Sequence, residues 1–271
     1  MRRVFLIPNA ITALGLCCGL FVIFKIILKD SSRDLLSMLQ GLSILLLIAS
    51  VADVADGAVA RMINAESAFG GQFDSLSDSV TFGIAPSIFV IKSLENECIH
   101  KGVVFFIIIA AMIYSLCGVL RLVRYNLSKM PKKIDPLQGK FFTGLPIPAA
   151  AAVLVSTSLI LTRPIFAPLG IGKAFIMAAI LSLMGFLMVS RWRFPRWNTF
   201  HVRVSVFYMV LATGLVAALL FYGIVDFFPE GFTAASWLYL LVLAPLGGVK
   251  ARRMKKNYLS TPEEDELERI V

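Results

Sequence analysis

The chain has 271 residues, of which 58% are hydrophobic and only 16% charged, whereas soluble domains are about one-quarter charged. A net charge of +9 raises nucleic acid as a partner, but the basic residues stand in clumps between apolar blocks, as membrane topology signals do, which argues against it. The four cysteines, Cys17, Cys18, Cys98 and Cys117, form no CxxC pair, which disfavours both a disulfide framework and a zinc site.

The apolar blocks are about 20 residues long, the length an α-helix needs to cross about 30 Å of hydrocarbon. In chain order they predict eight spans, near residues 9–29, 36–62, 75–94, 102–124, 145–162, 173–190, 203–224 and 234–250. The expected fold class is therefore all-α, a polytopic membrane bundle. Arg2 and Arg3 precede the first span without a small-residue cleavage pattern, and Leu16 stands where a lipoprotein site before Cys17 wants a small residue. An uncleaved first helix is the expectation. The third span is the least apolar and begins with charge. Pro146 and Pro148 suit the start of the fifth, where a missing N–H costs little.

Orientation follows from the lysine and arginine bias. One set of loop ends holds Arg2, Arg3, Arg61, Arg121, Arg124, Lys129, Lys132, Lys133, Lys140, Arg191, Arg193, Arg196, Arg203 and the cluster from Lys250 to Lys256. The opposite side holds Lys25, Lys29, Arg33, Lys92, Lys101, Arg163 and Lys173, fewer than half as many. Both termini are thus expected in the cytoplasm, with residues 53–78 at the cytoplasmic ends of spans two and three. Residues 1–250 read as one membrane-embedded domain and 251–271 as a charged cytoplasmic tail, basic and then acidic, that lacks the apolar surface to fold alone. Trp192 and Trp197 read as an interfacial belt. His100 and His201 lie in loops with no partner at ligand spacing.

The informative stretch is VADVADGAVARMINAESAFGGQFDSLSDSV. Asp53 and Asp56 are three residues apart and Asp74 and Asp78 four, so each pair shares one helix face. A short turn near Asn64 to Phe69 makes the two helices antiparallel, and the pairs can converge. Each charge inside a span costs about 2.5–3.5 kcal/mol on insertion scales, and carboxylates facing one another repel. One or two divalent cations remove both penalties, and oxygen-only ligands select hard ions such as Mg²⁺, Mn²⁺ or Ca²⁺. Gly57 and Ala60 share the face of Asp53 and Asp56, and Gly70 and Gly71 precede Asp74, so a ligand or a neighbouring helix can approach closely.

These residues carry a resemblance. Asp53, Asp56, Gly57, Ala60, Arg61, Gly70, Asp74 and Asp78 match the signature D-x2-D-G-x2-A-R-x8-G-x3-D-x3-D of the CDP-alcohol phosphatidyltransferase family at every fixed spacing. The resemblance implies a helical membrane core with its active site open to the cytoplasm, in a bacterial-type cytoplasmic membrane. Asp53, Asp56 and Asp74 would hold a pair of divalent metals, Mn²⁺ or Mg²⁺, with Asp78 also near them and acting as general base. Gly57, Ala60, Arg61 and Gly70, with Asn9 and Thr12 of the first span, would bind the CDP group. The family pattern also implies a homodimer.

Three further stretches, SVTFGIAP at 79–86, RLVRYN at 121–126 and FTGLPIPAAA at 142–151, resemble the membrane-integral phosphatidylserine synthase branch of that family. The implied reaction moves a phosphatidyl group from CDP-diacylglycerol to L-serine. Glycerol 3-phosphate, inositol phosphate and choline are the alternative acceptors. Arg121 and Arg124 share a helix face near the boundary and are candidates for the acceptor's carboxylate. A divalent cation transporter also places aspartates on adjacent helices, but it needs a polar path to both sides, and here the outer halves of the spans have almost no polar lining.

Overall fold

The protein is described here by a computed structural model that covers residues 6–28, 35–65, 67–95, 101–128, 141–190, 193–195 and 228–243. Among these residues it is a helical bundle. The long helices are α1 (Leu6–Leu28), α2 (Leu35–Met62), α5 (Lys101–Ser128) and α7 (Gly172–Val189). All four are long and apolar enough to cross a membrane, and α6 (Ile147–Thr162) is a shorter apolar helix. A continuous rod comprises α3 (Ala68–Asp78), one π-helical turn (Ser79–Ile84) and α4 (Ala85–Ser93). The last described element, α8 (Phe228–Leu238), ends in a second π segment (Tyr239–Leu243). The expected span at 203–224, the tail, Trp192, Trp197, His100 and His201 lie outside the described residues.

Two boundaries differ from the hydropathy reading. The third helix begins at Ala68, well before residue 75, because Ser67 caps it: the Ser67 Oγ accepts the Gly70 N–H at 3.0 Å. Its first turns are too polar to register as a span. The turn is correspondingly tighter than Asn64 to Phe69, and Asn64 turns it with φ of 51°. Helix α8 is likewise already helical at Phe228, before residue 234.

Packing explains the arrangement. On α1 the buried positions are Pro8, Thr12, Gly15, Gly19, Val22 and Ile26, a 4-3-4-3-4 spacing that makes one stripe. The stripe is small in its first half, where α2 and the π turn come close. A Cβ on Gly15 would sit 3.7 Å from Ala49 O, and one on Gly19 would sit 2.5 Å from Thr81 Oγ1. At the other end Val22 and Ile26 join Leu39, Leu42 and Leu46 of α2, Ala85 and Phe89 of α4, and Phe228 and Phe232 of α8 in one apolar core. A second core gathers α5, α6 and α7 around Tyr114, Leu154, Met177 and Leu181. Outward-facing Phe21, Phe105, Leu116 and Phe186 are exposed, as side chains toward acyl tails are.

One feature absent from the sequence reading is a short antiparallel ladder, β1 (Phe141–Thr143) with β2 (Arg193–Pro195), in which Phe142 lies opposite Phe194. It joins the approach to α6 with the exit from α7. Beside it Leu145 N donates to Leu187 O at 3.1 Å. Gly144 has φ of +82°, and a Cβ there would lie 2.2 Å from Met188 O. Both the backbone conformation and the space require glycine. Replacing Gly144 with alanine is expected to destabilise the fold by at least about 1–3 kcal/mol, read as a lower thermal midpoint of the detergent-solubilised protein; an unchanged midpoint would show that this junction is not needed.

Candidate active site

The four aspartates meet. Asp53 and Asp56 of α2 and Asp74 and Asp78 of the rod line a single crevice with Thr12 and Gly15 of α1, Ala49, Ser77, Thr81 and Phe82. The crevice holds about 190 Å³ of empty space, part of it open to the outside. One carboxylate oxygen from each of Asp53, Asp56 and Asp74 lies within 4.8 Å of the other two. Two ligand bonds of about 2.0–2.6 Å each span such a gap. The donor set, three carboxylates and no nitrogen or sulfur, fits a hard divalent ion. Asp78 completes the group, within reach of Asp53.

Neighbouring groups fix these carboxylates. Thr12 Oγ1 hydrogen-bonds Asp56 Oδ2, which ties α1 to α2. Ser77 Oγ donates to Thr12 O at 3.4 Å, and Thr81 Oγ1 donates to Gly15 O at 3.5 Å, which ties the rod to α1. Ser75, next to Asp74, accepts from Asn126 Nδ2 of α5 at 3.0 Å. The rod that carries Asp74 and Asp78 is therefore held from two sides.

The other expected site residues fall into three groups. Asn9 meets Gly70: a Cβ on Gly70 would lie 3.0 Å from Asn9 Oδ1, so the glycine permits that approach. Gly57 and Gly71 face open space, Ala60 is half-buried, and Arg61 is exposed just beyond them. The two arginines of α5 separate in role. Arg121 is 9% exposed, its Nε has no hydrogen-bond partner among the described residues, and Asp78 is among its charged neighbours. Arg124 instead binds the end of α7, donating to Val189 O at 2.7 Å, Ser190 O at 3.2 Å and Met188 O at 3.3 Å. It caps carbonyls that have no partner in their own helix.

Several participants were not singled out from sequence. Asn126, Ser77 and Thr81 carry no metal-ligand or acid–base spacing that would mark them. Tyr239, in the π segment after α8, lies within electrostatic reach of Arg121.

The family model for CDP-alcohol phosphatidyltransferases matches residues 5–221 of this chain. The chain belongs to this family. Among its relatives are proteins named CDP-diacylglycerol–serine O-phosphatidyltransferase. The one from Helicobacter pylori is 31% identical over 212 residues, covering 78% of this chain and 81% of the relative. That from Bacillus subtilis is 33% identical, covering 71% and 91%. That from Methanocaldococcus jannaschii is 30% identical, covering 74% and 87%. The family match includes the whole crevice, from α1 through the π turn. As a family member the chain is an enzyme whose acidic group has the composition of a divalent-metal site.

Because Thr12 orients Asp56, a Thr12→Val change is expected to weaken Mn²⁺ binding about tenfold, the lower end of what outer-sphere hydrogen bonds contribute. Calorimetric titration of the purified protein measures this, and wild-type affinity would remove Thr12 from the site.

Proposed function

We propose that this protein transfers the phosphatidyl group of CDP-diacylglycerol to L-serine, releasing CMP and forming phosphatidylserine. The observation that supports it most is the meeting of Asp53, Asp56, Asp74 and Asp78, all signature residues, in one crevice, with Asp78 near a buried arginine whose Nε has no partner among the described residues.

In this reading Asp53, Asp56 and Asp74 hold two divalent ions, Mn²⁺ or Mg²⁺, with Asp78 at their edge. Metal held there would neutralise the diphosphate and make CMP a better leaving group. Asp78 takes the proton of the serine hydroxyl as its oxygen attacks phosphorus, since an alcohol is a weak nucleophile until a base assists it. A new serine O–P bond forms, the P–O bond to CMP breaks, and CMP leaves with the electron pair. Asn9, Thr12, Gly57, Ala60, Arg61 and Gly70 receive the CDP group. Gly57 leaves open space on the α2 side for it.

Arg121 is the better acceptor group. Its buried guanidinium retains an unused donor, while Arg124 is engaged with α7. A serine carboxylate supplies the missing acceptor. A phosphate-bearing alcohol would satisfy the same cation, and glycerol 3-phosphate is the second reading. The site opens to the cytoplasm, where both termini also lie, and the enzyme works as a homodimer in the membrane.

Purified protein with CDP-diacylglycerol and Mn²⁺ or Mg²⁺ is expected to release CMP with L-serine and not with glycerol 3-phosphate, inositol, inositol phosphate or choline. Release with another alcohol alone would reassign the acceptor, and release with none would favour cation transport. Asp78→Asn is expected to lower turnover by at least about a hundredfold, within the range for loss of a general base, while nucleotide binding stays measurable. Retained turnover would rule out Asp78 as the base.

A further inference from the structure

We propose that Tyr114 is a positioning residue for Asp78, acting through the π-helical turn that Pro86 imposes on the rod; the inference rests on Asp78 serving as the base.

The turn has an identifiable cause. Proline has no N–H, and its ring collides with the carbonyl four residues earlier, here that of Phe82. Widening the preceding turn relieves the collision, and the Ala85 N–H accordingly reaches back five residues to Val80 O. Pro86 leaves the Phe82 carbonyl without the N–H four residues on that a regular helix supplies, and Phe82 is only 3% exposed. Tyr114 of α5 supplies the donor, its hydroxyl 2.8 Å from Phe82 O. Tyr114 is fully buried, and its neighbour Ser115 donates to Gly83 O at 2.9 Å.

The turn is also clamped in space. On the α1 side Gly19 leaves no room for even a methyl group against Thr81. On the α5 side a Cβ on Gly118 would lie 3.8 Å from Gly83 Cα, so the two backbones nearly touch. Below the turn, α4 is fixed by Ala85, Phe89 and Val90, all fully buried.

A π turn places one extra residue in the helix, which shifts the phase of whatever precedes it by about 100° relative to whatever follows. Asp78 directly precedes the turn and α4 directly follows it. The direction in which the Asp78 carboxylate projects is therefore set by whether the turn holds. Tyr114 lies outside the crevice lining and acts only through the backbone.

The test uses the full-length protein in detergent or liposomes and compares Tyr114→Phe, Pro86→Ala, the double variant and Asp78→Asn. Tyr114→Phe is expected to lower kcat at least about tenfold with both KM values within about twofold, since misplacing a reacting group by about 1 Å costs up to about a hundredfold. Pro86→Ala restores an N–H that can bond Phe82 O within a regular helix, so kcat is expected to fall as well. The double variant should be no worse than the poorer single one, because both act on one turn. Wild-type kcat in Tyr114→Phe, or a double variant showing the product of the two losses, overturns the proposal. If Tyr114→Phe fails to bind CMP and so has not folded, Pro86→Ala decides alone, and wild-type kcat there overturns it. An inactive Asp78→Asn beside an unaffected Tyr114→Phe sinks this inference only; an active Asp78→Asn removes the base assignment and this inference with it.

Discussion

Carboxylates resist being placed in an apolar layer, and two pairs aimed at one another resist it twice, by desolvation and by repulsion. The helices α2 and α3 bring four such groups together, and much of the surrounding architecture answers that arrangement. A first helix whose buried stripe is small in its first half lets the backbone of α1 lie beside the acidic crevice. Hydroxyls on α1 and the rod then join the three elements, Thr12 to Asp56 and Ser77 to the Thr12 carbonyl. A hard divalent ion fits the set because its ligands are all oxygens.

Rigidity is supplied from α5 and α7. Helix α5 touches the rod at Asn126 near Asp74 and at Tyr114 below Asp78. It is itself tied to α7 through Arg124, whose guanidinium gathers three terminal carbonyls, with Gly144 fitted against one of them. The same two helices share a core around Tyr114, Met177 and Leu181. A chain of contacts thus runs from the end of α7 to the rod that carries the carboxylates, and Arg124, Asn126 and Tyr114 themselves lie outside the crevice lining.

Much of this was legible in the residues. The spacing of Asp53, Asp56, Asp74 and Asp78 announced both the helix faces and their meeting, because helical periodicity is local and rigid. The long apolar helices were legible for the same reason. What sequence concealed was tertiary. Positive residues near a boundary look alike, so nothing distinguished Arg124, which caps α7, from Arg121, which lies within electrostatic reach of Asp78. The early start of α3 was hidden because hydropathy is blind to the Ser67 cap. Pro86, inside the expected span at 75–94, was the available clue to the π turn, but a proline in a helix interior announces only a disruption until Tyr114 is seen bonded to Phe82.

The stripe on α1 has an evolutionary consequence. Thr12, Gly15 and Gly19 perform no bond-making step, yet two of the three are hemmed in by neighbouring backbone or side chains. A few ångströms around the same helix, Leu14, Phe21 and Phe24 look outward and ask only for oiliness. Drift along this segment should therefore be banded, with freedom and near-immobility recurring at each half-turn, and the frozen bands would mark where backbone proximity, rather than chemistry, limits what the helix can become.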